Sequence, residues 1–224
     1  MLDRLIYLLG GLQLTLALLV CSLAVGIVWG LAIATMRLSP WRPLRLFAFL
    51  YVELIRGVPL LVLLLFLFFG LQGVVGRGVQ VSAFWSAVAA FGLCYGAFIG
   101  EVFRAGIESV DPGQTEAARA LGLSAWQTMR HVVLPQAVRN VLPALVNESV
   151  SLLKDTSLAA VIALPEVTQR GRLEVARTYE TFEVWAMVAA IYLVLTLGLS
   201  SLARRLERGQ KTVVHTDHSH PQPA

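Results

Sequence analysis

Residues 5–36 read LIYLLGGLQLTLALLVCSLAVGIVWGLAIATM, a stretch of 32 residues without one charged side chain. A transmembrane helix needs about 20 predominantly apolar residues. Three further uncharged stretches, 57–76, 78–100 and 184–203, contain 20, 23 and 20 residues. Each of the four is long enough to cross a bilayer, so the sequence indicates a helical membrane protein with several spans.

The composition of the 224-residue chain excludes most other classes of protein. It is 57% hydrophobic and 14% charged, with a mean hydropathy of +0.71, whereas soluble domains contain about 25% charged residues. A soluble enzyme, a disulfide-stapled secreted domain and a disordered protein are therefore excluded. The net charge of +4 comes from short basic clusters beside apolar stretches, so we expect no nucleic acid partner. Cys21 and Cys94 lie within apolar stretches and are expected to be packing residues, with no metal site.

The alternation of apolar and polar segments predicts an all-α polytopic membrane protein with five transmembrane helices. We expect a single membrane domain over residues 1–210, in which 108–135 is the largest polar interruption. The apolar run before Ala34 is too long for a signal peptide, so the first span is expected to be retained. The tail at 211–224 is expected to be disordered, with a histidine-rich metal-binding tract as the alternative. The predicted spans are 8–36, 47–72, 82–104, 136–165 and 183–205.

The distribution of basic residues predicts the orientation, because cytoplasmic loops are enriched in Lys and Arg. In the five-span arrangement, 12 of the 18 basic residues lie on one side and five on the other, with Lys154 inside a span. The N-terminus is therefore expected outside, and the 108–135 segment and the C-terminus in the cytoplasm.

The 108–135 segment predicts two short helices at the membrane surface. Residues 113–122 combine strong helix formers with a terminal glycine. Ser124 and Gln127 have the spacing of a capping box at the start of a second helix, and Pro135 ends or kinks that helix. A structural connector is the alternative to a functional role for this pair.

The fourth predicted span carries a polar stripe. At 100° per residue its polar side chains fall on one face of a helix, and leucine and valine occupy the rest. Ionisable groups at membrane depth cost at least about 2.5 kcal/mol each, so they normally face protein or water. A Lys–carboxylate network that only joins helices is the alternative to a transport path. The stripe consists of Asn140, Ala144, Asn147, Glu148, Ser151, Lys154 and Asp155.

Two spacings suggest structural or gating roles elsewhere in the membrane domain. Glu53 and Arg56, like Glu101 and Arg104, are three residues apart and can form ion pairs on a helix, and Arg56 could alternatively act in gating. Three glycines recur at every fourth residue of the third span, a pattern of close helix contacts in membranes. They are Gly92, Gly96 and Gly100.

The EAA sequence at 116–118, followed by Gly122 and by Val132-x-Leu134-Pro135, resembles the EAA loop of ABC importer permeases. The family usually has isoleucine at the position of Val132. Further stretches are similar to the polar amino acid branch of that family, and the likeness extends over about residues 10–205. These stretches are ELIRGVPLLV at 53–62, EVFR at 101–104, GIESVDPGQ at 106–114, LPQA at 134–137 and LKDTSL at 153–158.

The resemblance implies a permease subunit of an ATP-driven amino acid importer in the bacterial cytoplasmic (inner) membrane. Such a subunit pairs with a second, identical or homologous permease, receives an amino acid from an extracytoplasmic binding protein, and docks on two cytoplasmic ATP-binding subunits. The resemblance places ATPase coupling at Glu116, Ala117, Ala118, Gly122, Leu134 and Pro135. Together with the stripe it places the substrate path at Asn147, Glu148, Ser151, Lys154, Asp155, Thr156 and Ser157.

The chain has no G-x-x-x-x-G-K-[ST] phosphate loop. We therefore expect ATP and Mg to bind to the partner ATPase, and this chain to bind no cofactor. Two other classes of function are alternatives. An embedded acid/base enzyme would use Glu148 or Asp155, but no nucleophile or metal motif accompanies them, and a channel would need a ring of like charges or a carbonyl filter. The sequence leaves open which amino acid is carried.

Overall fold

The computed structural model describes residues 1–70 and 82–214, and within them every regular element is helical. A π-helical turn at Phe66–Gly70 extends α4, another at Met129–Val133 joins α7 to α8, and a 3-10 helix at Thr156–Ile162 follows α8. The helices are α1 (Leu2–Leu9), α2 (Leu12–Arg37), α3 (Arg42–Gly57), α4 (Leu60–Leu65), α5 (Ala83–Glu108), α6 (Pro112–Ala120), α7 (Ala125–Thr128), α8 (Leu134–Asp155), α9 (Val167–Thr178) and α10 (Thr181–Val214).

Three helices are long and apolar enough to cross a membrane: Leu2–Arg37, Ala83–Glu108 and Thr181–Ser201. A fourth candidate is the pair Arg42–Gly57 and Leu60–Gly70, whose axes are bent by 101°. Among the described residues α8 is not such a candidate: charged and uncharged polar side chains along its 22 residues lower its hydropathy. The structure thus supports a multi-pass membrane protein with three or four candidate spans.

The second span, expected as one helix from 47 to 72, is broken in the middle. α3 begins at Arg42 and ends at Gly57, and Val58 is extended with φ −102° and ψ 131°. Pro59 is the cause, since proline lacks an N–H group and disfavours the helical conformation in the residue before it. The end of this predicted span, at 71–72, lies outside the described residues.

Two other predicted spans also differ from the structure at their ends. The first is divided into α1 and α2 at Gly10 and Gly11, which keep right-handed helical φ and ψ, so Leu2–Arg37 remains one candidate span. A Cβ at Gly11 would lie 2.6 Å from the backbone nitrogen of Val167. The fourth ends as an α-helix at Asp155 and continues as the 3-10 helix. α10 runs to Val214, into the predicted tail, and 215–224 lies outside the described residues.

The central helix is α5, which packs against α2, α3, α4 and α8. Its core contacts include Phe91 and Ile99, both fully buried. The predicted glycine pattern faces α2. A Cβ at Gly92 would lie 2.5 Å from Val25 Cγ1, and one at Gly96 would lie 2.8 Å from Trp29 Cδ1.

Glycines on α2 complete this contact from the other side. A Cβ at Gly30 would lie 2.9 Å from the backbone nitrogen of Gly100. The two backbones therefore touch where neither helix has a side chain, which is how small residues allow close packing in membranes. The partner of the glycine pattern, open from the sequence, is α2 of the same chain.

Candidate functional site

A cavity of about 360 Å³ lies between α3, α5 and α8. Apolar and aromatic side chains, such as Ile55 and Phe98, form part of its wall. The polar part of the lining comes from helices that are far apart in the sequence. It consists of Arg56, Tyr95, Glu148, Ser151 and Asp155.

Three of these polar residues share one face of α8, because Glu148, Ser151 and Asp155 follow each other at helical spacing. The hydroxyl group of Tyr95 on α5 donates a hydrogen bond to Asp155 Oδ2 at 2.8 Å. A hydrogen bond to a carboxylate is stronger than one between neutral groups, so this contact fixes the position of the acid.

Arg56 reaches the cavity from the last turn of α3, just before the break at Pro59. Its guanidinium carbon lies 5.2 Å from the centre of the Phe98 ring, an arrangement that orients the cation without using its N–H donors. The cavity thus offers one guanidinium group and two carboxylates to a small molecule. Such a set can bind both ends of a zwitterion, with an excess of one negative charge.

The other predicted path residues do not line this cavity. Asn147 and Lys154 are exposed, and Lys154 makes no ion pair with the described side chains, so the alternative of a Lys–carboxylate network is not formed among them. The α8 residues that line the cavity span about 60° of the helix, and Lys154 lies about 60° outside that arc. The hydroxyl groups of Thr156 and Ser157 donate to the carbonyl oxygens of Leu153 and Lys154, at 2.6 and 2.7 Å.

Tyr95 and Phe98 were missed by sequence reasoning. A tyrosine in an apolar span was a usable signal, since a buried tyrosine hydroxyl usually needs a hydrogen-bond partner. The predicted pair of Glu53 and Arg56 is wrong: Glu53 is exposed, and no ion pair joins them in this structured part of the chain. The bend at Pro59 and the ring of Phe98 direct Arg56 elsewhere.

Glu101 and Arg104 do pair, at 2.8 Å, and they belong to a larger group. Arg37 at the end of α2 donates to Glu101 at 3.1 Å, and Arg104 also binds Glu108. These contacts tie the ends of α2 and α5 together, at the end of the bundle where the polar segment begins.

The predicted pair of short helices is present as α6 and α7. Asp111 caps α6 by accepting a hydrogen bond from the Gly113 N–H group at 2.6 Å. Ser124 and Gln127 form the expected capping box. Gly122 joins the helices with φ +84°, in the left-handed region that favours glycine.

The predicted coupling residues of this pair are mostly on its surface. Glu116, Ala117, Gly122, Leu134 and Pro135 are exposed, whereas Ala118 is buried against the rest of the chain. Two large apolar residues on the same surface, Leu121 and Trp126, are also exposed and were missed by sequence reasoning. An exposed leucine and tryptophan on a polar helix pair are typical of a surface that binds another protein.

The opposite end of the molecule contains a second charged cluster that the sequence did not indicate. Glu166 is fully buried and caps α9, accepting from the N–H groups of Thr168 and Gln169, each at 2.7 Å. Glu174 is also buried and pairs with Arg4 at 3.8 Å and Arg177 at 3.0 Å. This cluster closes the N-terminal helix against α9. In the described ranges no group of His, Cys, Asp and Glu could hold a metal ion.

Comparison with known proteins gives relatives over nearly the whole chain. The arginine transport system permease protein ArtQ of Bacillus subtilis is 37% identical over 206 residues, which are 92% of this chain and 93% of that protein. The glutamine transport system permease protein GlnP of Escherichia coli K12 is 38% identical over 201 residues, 90% of this chain and 91% of that protein.

Solved structures show the same fold. A crystal structure of an amino acid ABC transporter with histidines is 40% identical and superimposes with a TM-score of 0.88, over 93% of this chain and 96% of that one. An inward-facing structure of the MetNI methionine ABC transporter shares the fold alone, at 21% identity and a TM-score of 0.73, over 90% of this chain and 95% of that one.

The sequence profile of one family matches residues 26–212. These residues include the α3–α5–α8 cavity and the α6–α7 pair. The chain therefore belongs to the family described as "binding-protein-dependent transport system inner membrane component", and is a permease subunit of an ABC transporter.

Proposed function

We propose that this permease carries an amino acid across a bacterial inner membrane, and that the cavity between α3, α5 and α8 is part of its path. The observation that carries the proposal is the convergence of Arg56, Glu148 and Asp155 on one cavity. Relatives named for arginine and glutamine transport support the substrate class.

The charges of the cavity match the two ends of an amino acid. Arg56 can bind the α-carboxylate group, since a guanidinium group binds carboxylates through two N–H donors. Glu148 and Asp155 can bind the α-ammonium group. The second carboxylate then remains for a positive side chain, so the cavity favours basic over acidic amino acids.

The five-span arrangement is retained as part of the proposal. Its spans are α1 with α2, the bent pair of α3 and α4, α5, α8 with its 3-10 helix, and α10. The ion-paired ends of α2 and α5 support a shared membrane boundary. The excess of basic residues on that side supports a cytoplasmic position for it, with the N-terminus outside.

The α6–α7 pair is proposed to dock on a cytoplasmic ATP-binding subunit, which would bind ATP and Mg. Exposed Glu116, Leu121 and Trp126 supply one acid and two apolar anchors for this contact. Because α7 leads through a π-helical turn into α8, movement of the docked pair would tilt the helix that carries Glu148 and Asp155. A second permease, two ATP-binding subunits and an external binding protein complete the proposed assembly.

The test is uptake by the reconstituted transporter with arginine, glutamine and glutamate. Glu148→Gln and Asp155→Asn should lower uptake of arginine at least tenfold and that of glutamine less, which changes the ranking of substrates. Glu53→Gln is the matched control, because it removes an exposed carboxylate of α3 outside the cavity.

If the cavity variants assemble normally but lower the uptake of every substrate by the same factor, the cavity is not a substrate site. The two carboxylates would then have a structural role. Failure of the purified chain to retain an ATP-binding subunit would contradict the proposed docking of the α6–α7 pair.

A further inference from the structure

A second cavity lies at the corner where α2 ends and α3 begins. Its volume is about 590 Å³, and it is lined by Arg37, Arg42, Pro43, Arg45, Leu46 and Phe49. We call it the corner pocket. It is separate from the cavity of the proposed path, which α3 reaches with Arg56 at its other end.

The corner pocket has uncompensated positive charge. Arg37 is satisfied, since it donates to Glu101 and lies 5.2 Å from the centre of the Phe49 ring. Arg42 and Arg45 are exposed, and neither forms an ion pair with the side chains that the structure describes, those of 1–70 and 82–201. Among the side chains that the structure describes, no carboxylate lines the pocket, so two guanidinium groups are available to an anion.

An apolar ridge continues from Arg42 along α3. Leu46, Leu50 and Leu54 are 57%, 56% and 64% exposed, and their spacing of four residues puts them in one row on the helix. At 1.5 Å per residue the row is about 12 Å long. That length is close to one leaflet of the hydrocarbon core, which is about 15 Å thick. Trp41, also exposed, lies beside the arginines, where tryptophan favours the membrane interface.

We propose that the corner pocket binds one anionic phospholipid. Arg42 and Arg45 bind the phosphate of the headgroup, and an acyl chain lies along Leu46, Leu50 and Leu54. A free phosphate ion would use the arginines but not the ridge. The ammonium group of a zwitterionic lipid would cancel the charge of its own phosphate, whereas an anionic lipid brings a net negative charge to the two guanidinium groups. This inference goes beyond the proposed function and is independent of the substrate.

The experiment is native mass spectrometry of the purified, fully assembled transporter that contains this chain. The protein is titrated with phosphatidylglycerol, with phosphatidylethanolamine of the same acyl chains, and with glycerol 3-phosphate. The variants are R42Q/R45Q and the charge-retaining R42K/R45K. The matched control is R204Q/R205Q, which removes the same charge from α10.

We expect one tightly retained phosphatidylglycerol per copy of the chain. R42Q/R45Q should weaken its binding about 30-fold, which corresponds to about 1 kcal/mol for each arginine near an anionic lipid. R42K/R45K should weaken it less, and R204Q/R205Q should leave it unchanged. A thermal unfolding midpoint equal to that of the wild type verifies that the fold of each variant is intact.

Three results would overturn the proposal. Equal retention of phosphatidylethanolamine would show that the pocket does not select lipids by their charge. Displacement of the lipid by millimolar glycerol 3-phosphate would show a phosphate site without an acyl chain. Cross-linking of Leu46→Cys to another subunit, with no bound lipid, would show that the corner pocket is a protein interface.

Discussion

A single hydroxyl group holds one of the two carboxylates of the path cavity. Tyr95 donates to Asp155 at 2.8 Å across the interface of α5 and α8. Asp155 is the last residue of α8, where the chain changes from an α-helix to a 3-10 helix. The position of its carboxylate therefore depends on this contact as well as on the helix.

Tyr95→Phe keeps the ring and removes the donor. We expect the free energy of unfolding to fall by about 1.5–3 kcal/mol, because a hydrogen bond to a charged acceptor is lost. We also expect a higher KM for uptake. The matched control is Tyr51→Phe, because Tyr51 donates to a backbone carbonyl, that of Leu93, at 2.7 Å. If both variants lose similar stability and neither changes KM, Tyr95 only supports the fold.

The contact between α2 and α5 depends on glycines, and it can be tested with the smallest possible side chain. A Cβ at Gly30 would lie 2.9 Å from a backbone nitrogen of α5, which cannot move aside as a side chain can. A Cβ at Gly198 on α10 meets nothing within 4 Å.

Gly30→Ala and Gly198→Ala should therefore have opposite effects on stability. The first forces the helices apart and should cost about 1–3 kcal/mol. The second should stabilise by about 0.5–1 kcal/mol, since alanine is the better helix former. Thermal unfolding in one detergent measures both. Similar midpoints for the two variants would contradict the close backbone contact.

The joint between α6 and α7 depends on the backbone conformation of Gly122, with φ +84°. Asparagine tolerates the left-handed region, whereas a β-branched residue of similar size does not. Gly122→Asn should therefore retain both the ATP-binding subunit and uptake, and Gly122→Val should lose at least tenfold in uptake. Co-purification and transport assays measure these effects. Equal uptake by the two variants would show that the conformation at Gly122 is not needed for coupling to the ATP-binding subunit.

The number and direction of the spans are properties of the whole chain. In the proposed arrangement, positions 2 and 179 are outside, and positions 126 and 210 are in the cytoplasm. Single cysteines at these positions, with Cys21 and Cys94 replaced by alanine, can be labelled in sealed cells by a reagent that does not cross membranes.

We expect external labelling at 2 and 179 only. Position 179 is well suited to this test, because Tyr179 is exposed. Labelling of 126 and 179 from the same side would show that α8 does not cross the membrane. Labelling of both 2 and 210 from outside would give an even number of spans.

The membrane class of the protein, the capping box at Ser124 and the glycine contact surface of α5 could all be predicted from the sequence. Each depends on residues close together in the chain, and local spacing specifies it: the length of an apolar run, a capping pair three residues apart, glycines every fourth residue. The polar face of α8 was predicted for the same reason, although the part of it that lines the cavity is narrower than the predicted stripe.

The cavity required the tertiary structure, because its charges come from residues far apart in the sequence. Arg56 lines it because Pro59 ends α3 at the cavity, and Phe98 of α5 supports the guanidinium group. Lys154 is excluded by its angular position on α8, which spacing cannot reveal until the neighbouring helices are in place. Local spacing specifies which residues share a face of a helix, and only the packing of α3 and α8 against α5 determines which part of that face lines a cavity.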